Sequence, residues 1–206
     1  MKTIRTQQTI IRNVSSGDIR EDFSVTSGTR LVLVYVVDAE GEVTLMPSVH
    51  LNGRGASAVV IGIVRGFGKG KIRIHTLQHH NAESTTSNLL FKSTLTGESS
   101  IDYTGSILVE KKAQKTDAYQ RNENLLLDES CRATSSPVLE ILANDVRCTH
   151  GAIVKTLDRE ELWYLATRSI DEKRARTMIA RGFLKSTFTV LRDYAERDTI
   201  GREVNI

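Results

Sequence analysis

The chain is 206 residues long, 39% hydrophobic and only 5% aromatic, with 28 basic against 25 acidic residues and a formal net charge of +3. That length supports a sizeable core in one or two domains, and the near balance of charge, with no basic stripe interleaved with aromatics, excludes a dedicated nucleic-acid reader. No apolar run is long enough for a membrane-spanning helix, and two cysteines in a chain this size do not make a disulfide framework.

The opening MKTIRTQQTIIRN carries charge early but no apolar stretch or small-residue cleavage site, which argues against secretion and for a cytoplasmic protein with free thiols. Residues 1–28 read as mixed and polar, with TIIRNV as a first strand and SSGDIREDFSVTSG as turns around another. From Thr29 the texture changes to β-branched runs: LVLVYVV at 31–37, VTLMPSVHL at 43–51, SAVVIGIV at 57–64 and KIRIHTL at 71–77, followed by SNLLFKS, SILVE, NLLLD, VLEIL and AIVKTL. Gly, Asn, Asp and Ser separate them, as turns separate strands, and centres roughly 8 to 14 residues apart suit sandwiches, barrels and solenoids alike. Two prolines and few aromatics lean toward stacked coils with a thin aliphatic interior, although no exact internal repeat is visible.

After Leu157 helices are expected. Asp158 with Glu161, and Ser169 with Glu172, have capping-box spacing and mark two helix starts. In the second helix Ala175, Met178, Ile179 and Phe183 recur on one face, opposite Lys173, Arg174, Arg176 and Arg181. Gly182 is expected to kink or interrupt it, Leu184, Phe188, Leu191 and Tyr194 to continue the amphipathic series, and the tail DTIGREVNI to fray.

Several segments invite chemistry. GFGKGK at 66–71 lacks the helix and the hydroxyl that a phosphate loop needs, and reads as a turn. His79 and His80 are neighbours that would face opposite sides of a strand, so they do not both bind one metal. Trp163 and Tyr164 read as core aromatics. Asp102, Asp117 and Asp128 are the carboxylates available to a carbohydrate-active enzyme, but they are scattered among turns.

The informative stretch is 113–152, which holds both cysteines and His150. Cys131, Cys148 and His150 are soft or borderline ligands for iron, zinc or copper(I), yet a closed zinc site wants four ligands with paired spacings that are absent here. Cys131 is either a small buried hydrophobe or, given the polar, turn-rich DESCRATSSP around it, a partly exposed thiol whose anion Arg132 would favour. Cys148 would share the side of His150 on a strand and reads as structural rather than as a ligand. His150 is either an interior ring bonded to a carbonyl or an imidazole ligand oriented by a partner such as Glu140 or Asp145.

The blocks TDAYQRNENLLLD, PVLEILANDVRCTHGA, LDREELWYLATRSID and ARTMIARGF, with HHNAESTTSNLLFKSTLTGESS and GSILVEKKAQKTDAYQ before them in the same order, resemble the core of the SufB/SufD family of iron–sulfur cluster assembly scaffolds across about 43–191. Members usually carry a longer N-terminal region than this chain has room for, and a proline near the place of Glu83. The resemblance implies a mainly β fold, a right-handed parallel β-helix followed by helices: an N-terminal segment at 1–28, the β-helix at 29–157, an ATPase-docking helical region at 158–197 and a tail at 198–206. Cys131, six residues before Pro137, looks SufB-like, and the CTHGA around His150 looks SufD-like. That combination implies a homodimer, or a heterodimer with a longer relative, in which Cys131 of one chain accepts sulfur and faces His150 of the other, with Cys148 as a possible additional ligand to the iron–sulfur cluster. It also implies a SufC-like ABC ATPase docked on Asp171, Glu172, Arg174, Arg176, Met178 and Phe183, a cysteine desulfurase as sulfur source, a reduced flavin in related complexes, and no catalysis by the chain itself. The alternative is an interaction module that docks the ATPase without building clusters.

Overall fold

The computed structural model describes residues 1–191 and 194–204, with the backbone alone at 194, 195 and 203. Its strands are β1 (Lys2–Ile4), β2 (Gln8–Val14), β3 (Gly17–Val25), β4 (Arg30–Ala39), β5 (Glu42–Leu51), β6 (Ser57–Gly66), β7 (Lys71–His80), β8 (Thr86–Leu95), β9 (Ser100–Val109), β10 (Thr116–Leu126), β11 (Arg132–Ile141) and β12 (Val146–Thr156). The odd strands form one six-stranded parallel sheet in the order β1-β3-β5-β7-β9-β11, and the even strands a second in the order β12-β10-β8-β6-β4-β2. Every strand thus pairs with the one two places on, which makes a β-solenoid of two strands per coil. Val43 stands beside Ile72, and Ile72 beside Ile101, so a coil takes about thirty residues.

The two sheets differ in what covers their outer faces, and the sequence carries that difference. VTLMPSVHL in β5 alternates, burying Val43, Leu45, Val49 and Leu51 inward while the intervening residues stay half-buried. LVLVYVV in β4 is buried throughout, because Val32, Val34 and Val36 face outward onto a second apolar layer. That layer comes from the helices: α1 (Arg159–Thr167), α2 (Glu172–Lys185), a 3₁₀ turn over Ser186–Val190, and α3 (Tyr194–Val204). Leu184, Leu191, Ile200 and Val204 pack there against β4 and β6. No described helix is long and apolar enough to cross a membrane.

Inside the coils, Leu31, Leu33, Tyr35, Phe91 and Tyr103 belong to one continuous core. Gly62 of β6 makes room for it: a methyl group there would stand 1.9 Å from the Phe91 ring. Gly62→Ala should therefore destabilise the fold by about 1–3 kcal/mol through overpacking, read as a lower urea midpoint with unchanged slope. A midpoint equal to wild type would mean that the ring moves aside freely. Across the first two coils, the buried Tyr35 hydroxyl donates to Glu21 at 2.8 Å, and Arg12 donates to the same carboxylate at 3.0 Å. Burial and this acidic partner push the Tyr35 pKa up.

Three expectations about the helices need correcting. Helix α2 is capped by Asp171, whose carboxylate accepts from Arg174 N–H at 3.0 Å, rather than by Ser169, which takes a left-handed φ of 60° in the connecting turn. Gly182 lies within α2 without interrupting it; the helix gives way to the 3₁₀ turn at Ser186 instead. The segment from Asp198 to Val204 is helical and docked, since Ile200 and Val204 are buried against the outer apolar layer, while Asn205 and Ile206 lie outside the described residues. Leu184 and Leu191 bury as their spacing predicts, and the side chain of Tyr194 lies outside the description. Asp158 does start α1, accepting from Glu160 N–H at 2.8 Å.

Candidate functional site: the last coil

Strands β11 and β12 end their sheets, each paired on one side only, with β9 and β10. Val138, Ile141 and Leu142 at one strand and Ile153 and Val154 at the other are exposed. Unpaired backbone edges carrying apolar side chains are places where another chain adds.

Cys131 sits immediately before β11 and is 1% exposed, in the interior cluster that also holds Leu95 and Ile101. Its Sγ donates to Gly97 O at 3.4 Å. Gly97 belongs to the corresponding turn of the preceding coil, with φ +68°, and a side chain there would meet Gly68 backbone at 2.8 Å. Ser130 hydroxyl also donates to Gly97 O, and Asp128 carboxylate accepts Gly97 N–H at 2.7 Å. The partly exposed thiol expected from the polar neighbourhood is therefore not found: the turn residues are exposed, but Cys131 is the first inward position of its coil. The Arg132 guanidinium donates to the Glu129 and Cys131 carbonyls.

Cys148 and His150 lie on β12, opposite Ala118 and Gln120 of β10 in parallel register. Ala118 and Gln120 are inward and buried, so Cys148 and His150 share the inward parity. Cys148 packs half-buried beside Ile107, Ala118 and Ala143, and burial pushes its thiol pKa up. His150 is exposed, because its coil is the last. Glu140 is exposed on β11, and Asp145 lies in the β11–β12 turn with its N–H donating to Gln114. Among the described residues no three His, Cys, Asp or Glu side chains form a group able to hold a metal. One chain alone does not assemble a cage from Cys131, Cys148 and His150.

Sequence reasoning missed the polar interior just ahead of this coil. Gln78 Nε2 donates to Gln120 Oε1 at 3.2 Å, Thr76 bonds the Tyr103 hydroxyl at 3.0 Å, and Asn124 donates to Asn122 at 2.7 Å. Gln78 Oε1 and Gln120 Nε2 have no protein partner. His80 is fully buried between Thr85 and Ser87, and burial drives its pKa down to about 3, so it is neutral. The signal was present: Thr76, Gln78 and His80, and Gln120, Asn122 and Asn124, occupy every second position of two strands. His79 faces outward, as the neighbour rule requires.

The helical region presents a second surface. Trp163 is 71% exposed and Tyr164 is exposed beside it on α1, which buries no residue; they are not core aromatics. A cavity of about 540 Å³ between α1 and α2 is lined by Tyr164, Leu165, Met178, Ile179 and Phe183. Arg174 and Met178 are exposed. Glu172 accepts from Arg176 at 2.8 Å, and Arg176 Nη1 donates to Leu127 O at 2.7 Å and lies 3.6 Å from Asp128. Phe183 packs under the Lys92 and Lys155 ammonium groups at 4.7 and 5.3 Å. Asp102, Asp117 and Asp128 stay apart: Asp117 pairs with Arg147, and Asp128 holds the Gly97 turn.

Residues 20–183 match the family model described as SUF system FeS cluster assembly, SufBD core domain. The chain belongs to the SufBD family. It is 32% identical over 146 residues to the iron-sulfur cluster assembly protein SufD of Escherichia coli, covering 71% of this chain and 34% of that protein. It is likewise 32% identical over 152 residues to a SufBD family protein of Mycobacterium tuberculosis, covering 69% of this chain and 38% of the other, and 36% identical over 81 residues to the chloroplastic protein ABCI7 of Arabidopsis thaliana, covering 39% and 17%. The chain thus spans little more than a third of the length of the relatives it matches most broadly. The family match runs from β3 through α2 and includes Cys131, Cys148, His150 and the α2 surface.

Proposed function

We propose that this SufBD chain is a scaffold component of iron–sulfur cluster assembly, holding iron and sulfide as cargo where the last coils of two chains meet. Cys131 of one chain accepts sulfur and His150 of its partner supplies an imidazole. A SufC-like ABC ATPase docks on α1 and α2, and a cysteine desulfurase delivers the sulfur. The partner is a second copy or a longer relative. The chain performs no catalysis itself, and we assign no residue to a flavin.

The observation that carries this reading is Arg176. It stands on the docking helix and grips Leu127 O and Asp128, at the start of the turn that ends at the buried Cys131. A buried thiol neither accepts sulfur nor binds iron until it is uncovered. Movement of α2 by the ATPase pulls on that turn, so nucleotide turnover and thiol exposure become one motion. The open apolar edge of the same coil supports the junction.

The test is anaerobic reconstitution with iron and sulfide. The wild-type chain should develop visible cluster absorption, and Cys131→Ser and His150→Ala should each lose most of it. Absence of a cluster under every condition would favour the docking-only module, which the buried thiol and the lack of a three-ligand group among the described residues support. Docking is tested separately by Trp163→Ser, because removing all the helices would strip the cover from Val32, Val34, Ile61 and Ile63. ATPase co-purification unchanged by Trp163→Ser would count against the proposed surface.

A further inference from the structure

On the outer face of the odd-strand sheet, away from the last coil, His50 of β5 stands directly beside His79 of β7. Parallel neighbours sit at one fixed spacing of about 4.8 Å, and the two rings meet edge to face with Nδ1 3.2 Å from Nδ1. His79 Nε2 is 3.0 Å from Glu110 Oε1. The carboxylate accepts a hydrogen bond there, so in its neutral form the His79 ring carries its N–H on Nε2 and leaves Nδ1 with a lone pair. That is the arrangement in which metal-binding histidines are held, with a carboxylate fixing the tautomer and ring from behind. Burial and the neighbouring His79 push the His50 pKa down. The negative charge of Asp22 faces His50, and the Asn81 amide lies 3.4 Å from His79 Nδ1.

We propose that His50 and His79 bind one divalent first-row transition-metal ion through their Nδ1 atoms, at a surface site separate from the Cys131–His150 junction. With metal–nitrogen distances of about 2.1 Å, a nitrogen separation of 3.2 Å closes an angle of about 100° at the ion. That lies between octahedral and tetrahedral values. The ion sits off the line joining the two nitrogens, so the rings turn by about 40° to bring both lone pairs to it, a motion that the broad χ2 well of histidine allows. In the metal-free state His50 takes the other tautomer and its Nδ1–H donates to His79. No third His, Cys, Asp or Glu converges with the pair into a metal-holding group among the described residues, so water completes the coordination and the affinity is moderate. Imidazole ligands select copper(II), nickel(II) or zinc over magnesium and calcium.

The probe is copper(II) alone, titrated into the full chain carrying Cys131→Ser, Cys148→Ser and His150→Ala, which removes the junction ligands and makes the outcome independent of the scaffold reading. Calorimetry should give one equivalent, and the electron paramagnetic resonance spectrum should carry splitting from two imidazole nitrogens. His50→Ala and His79→Ala should each abolish that spectrum, Glu110→Gln should weaken binding by about tenfold, and His75→Ala should change nothing. These side chains lie on the outer face, so the variants fold. Copper bound equally well by the His50→Ala/His79→Ala double variant, or no stoichiometric binding at all, would overturn the proposal.

Discussion

Glu123→Leu should cost about 3–5 kcal/mol, and the double variant Lys92→Met/Glu123→Leu should recover most of that loss. Lys92 Nζ lies 2.9 Å from Glu123, and the two side chains are only 10% and 9% exposed. Lys92 also donates to Ser186 Oγ at 2.6 Å and sits over the Phe183 ring. Removing the carboxylate alone strands an ammonium beneath the α2 terminus, where a hydroxyl and a ring do not replace a counter-ion. Removing both charges leaves an apolar contact among Phe183 and the aliphatic stems, which costs little because the desolvation penalty goes with the charges. Arg121, which also holds Glu123 at 2.5 Å, is 40% exposed and falls back on water. Urea denaturation of the wild type, the single variants Glu123→Leu and Lys92→Met, and the double variant gives the coupling energy. Coupling below about 1 kcal/mol would mean that water reaches the pair. Because Lys92 joins the solenoid to the end of α2, the single variant should also lose amide protection in α2 before it loses protection in β6 or β8.

The coils were legible in the sequence wherever an apolar side chain marked each inward position. β4 through β7 each contain one of the runs read at 31–77, and the contrast between continuous LVLVYVV and alternating VTLMPSVHL even records which sheet the helices cover. Legibility failed where the interior turned polar. β10 begins at Thr116, but only NLLLD near its end looked like a strand, because Gln120, Asn122 and Asn124 point inward and bond one another and their neighbours. The exposure of Cys131 was misread from its polar neighbours, when it is set by parity and by the turn stacked on Gly97. Trp163 and Tyr164 were assigned to the core on residue type, which says nothing about a short helix that rests on the fold without burying any side chain. The His50–His79 pair lies 29 residues apart in sequence, and only the coil register brings the two rings together.

Placing lysine at both exposed valines of the last coil, Val138→Lys with Val154→Lys, should leave the chain folded and monomeric, with any self-association weakened by about 100-fold or more. Both side chains are about half exposed, at 49% and 48%, and a surface lysine in a strand changes stability by roughly 0.5 kcal/mol or less. Their effect on assembly is of a different order. An edge joined to another chain must desolvate whatever it carries, and a buried, unpaired ammonium costs several kcal/mol, which is why soluble proteins place lysine on edges they need to keep apart. Sedimentation equilibrium of the wild-type chain and the variant reads the difference directly, and far-UV circular dichroism with a urea midpoint confirms the fold. The cluster readout separates the two roles of the coil. If the junction is where iron and sulfide are held, the lysine variant loses cluster formation although Cys131 and His150 are both intact. Were it to stay monomeric and still form a full cluster, the inorganic cargo would have to be held within one chain, and the requirement for a partner's His150 would fall.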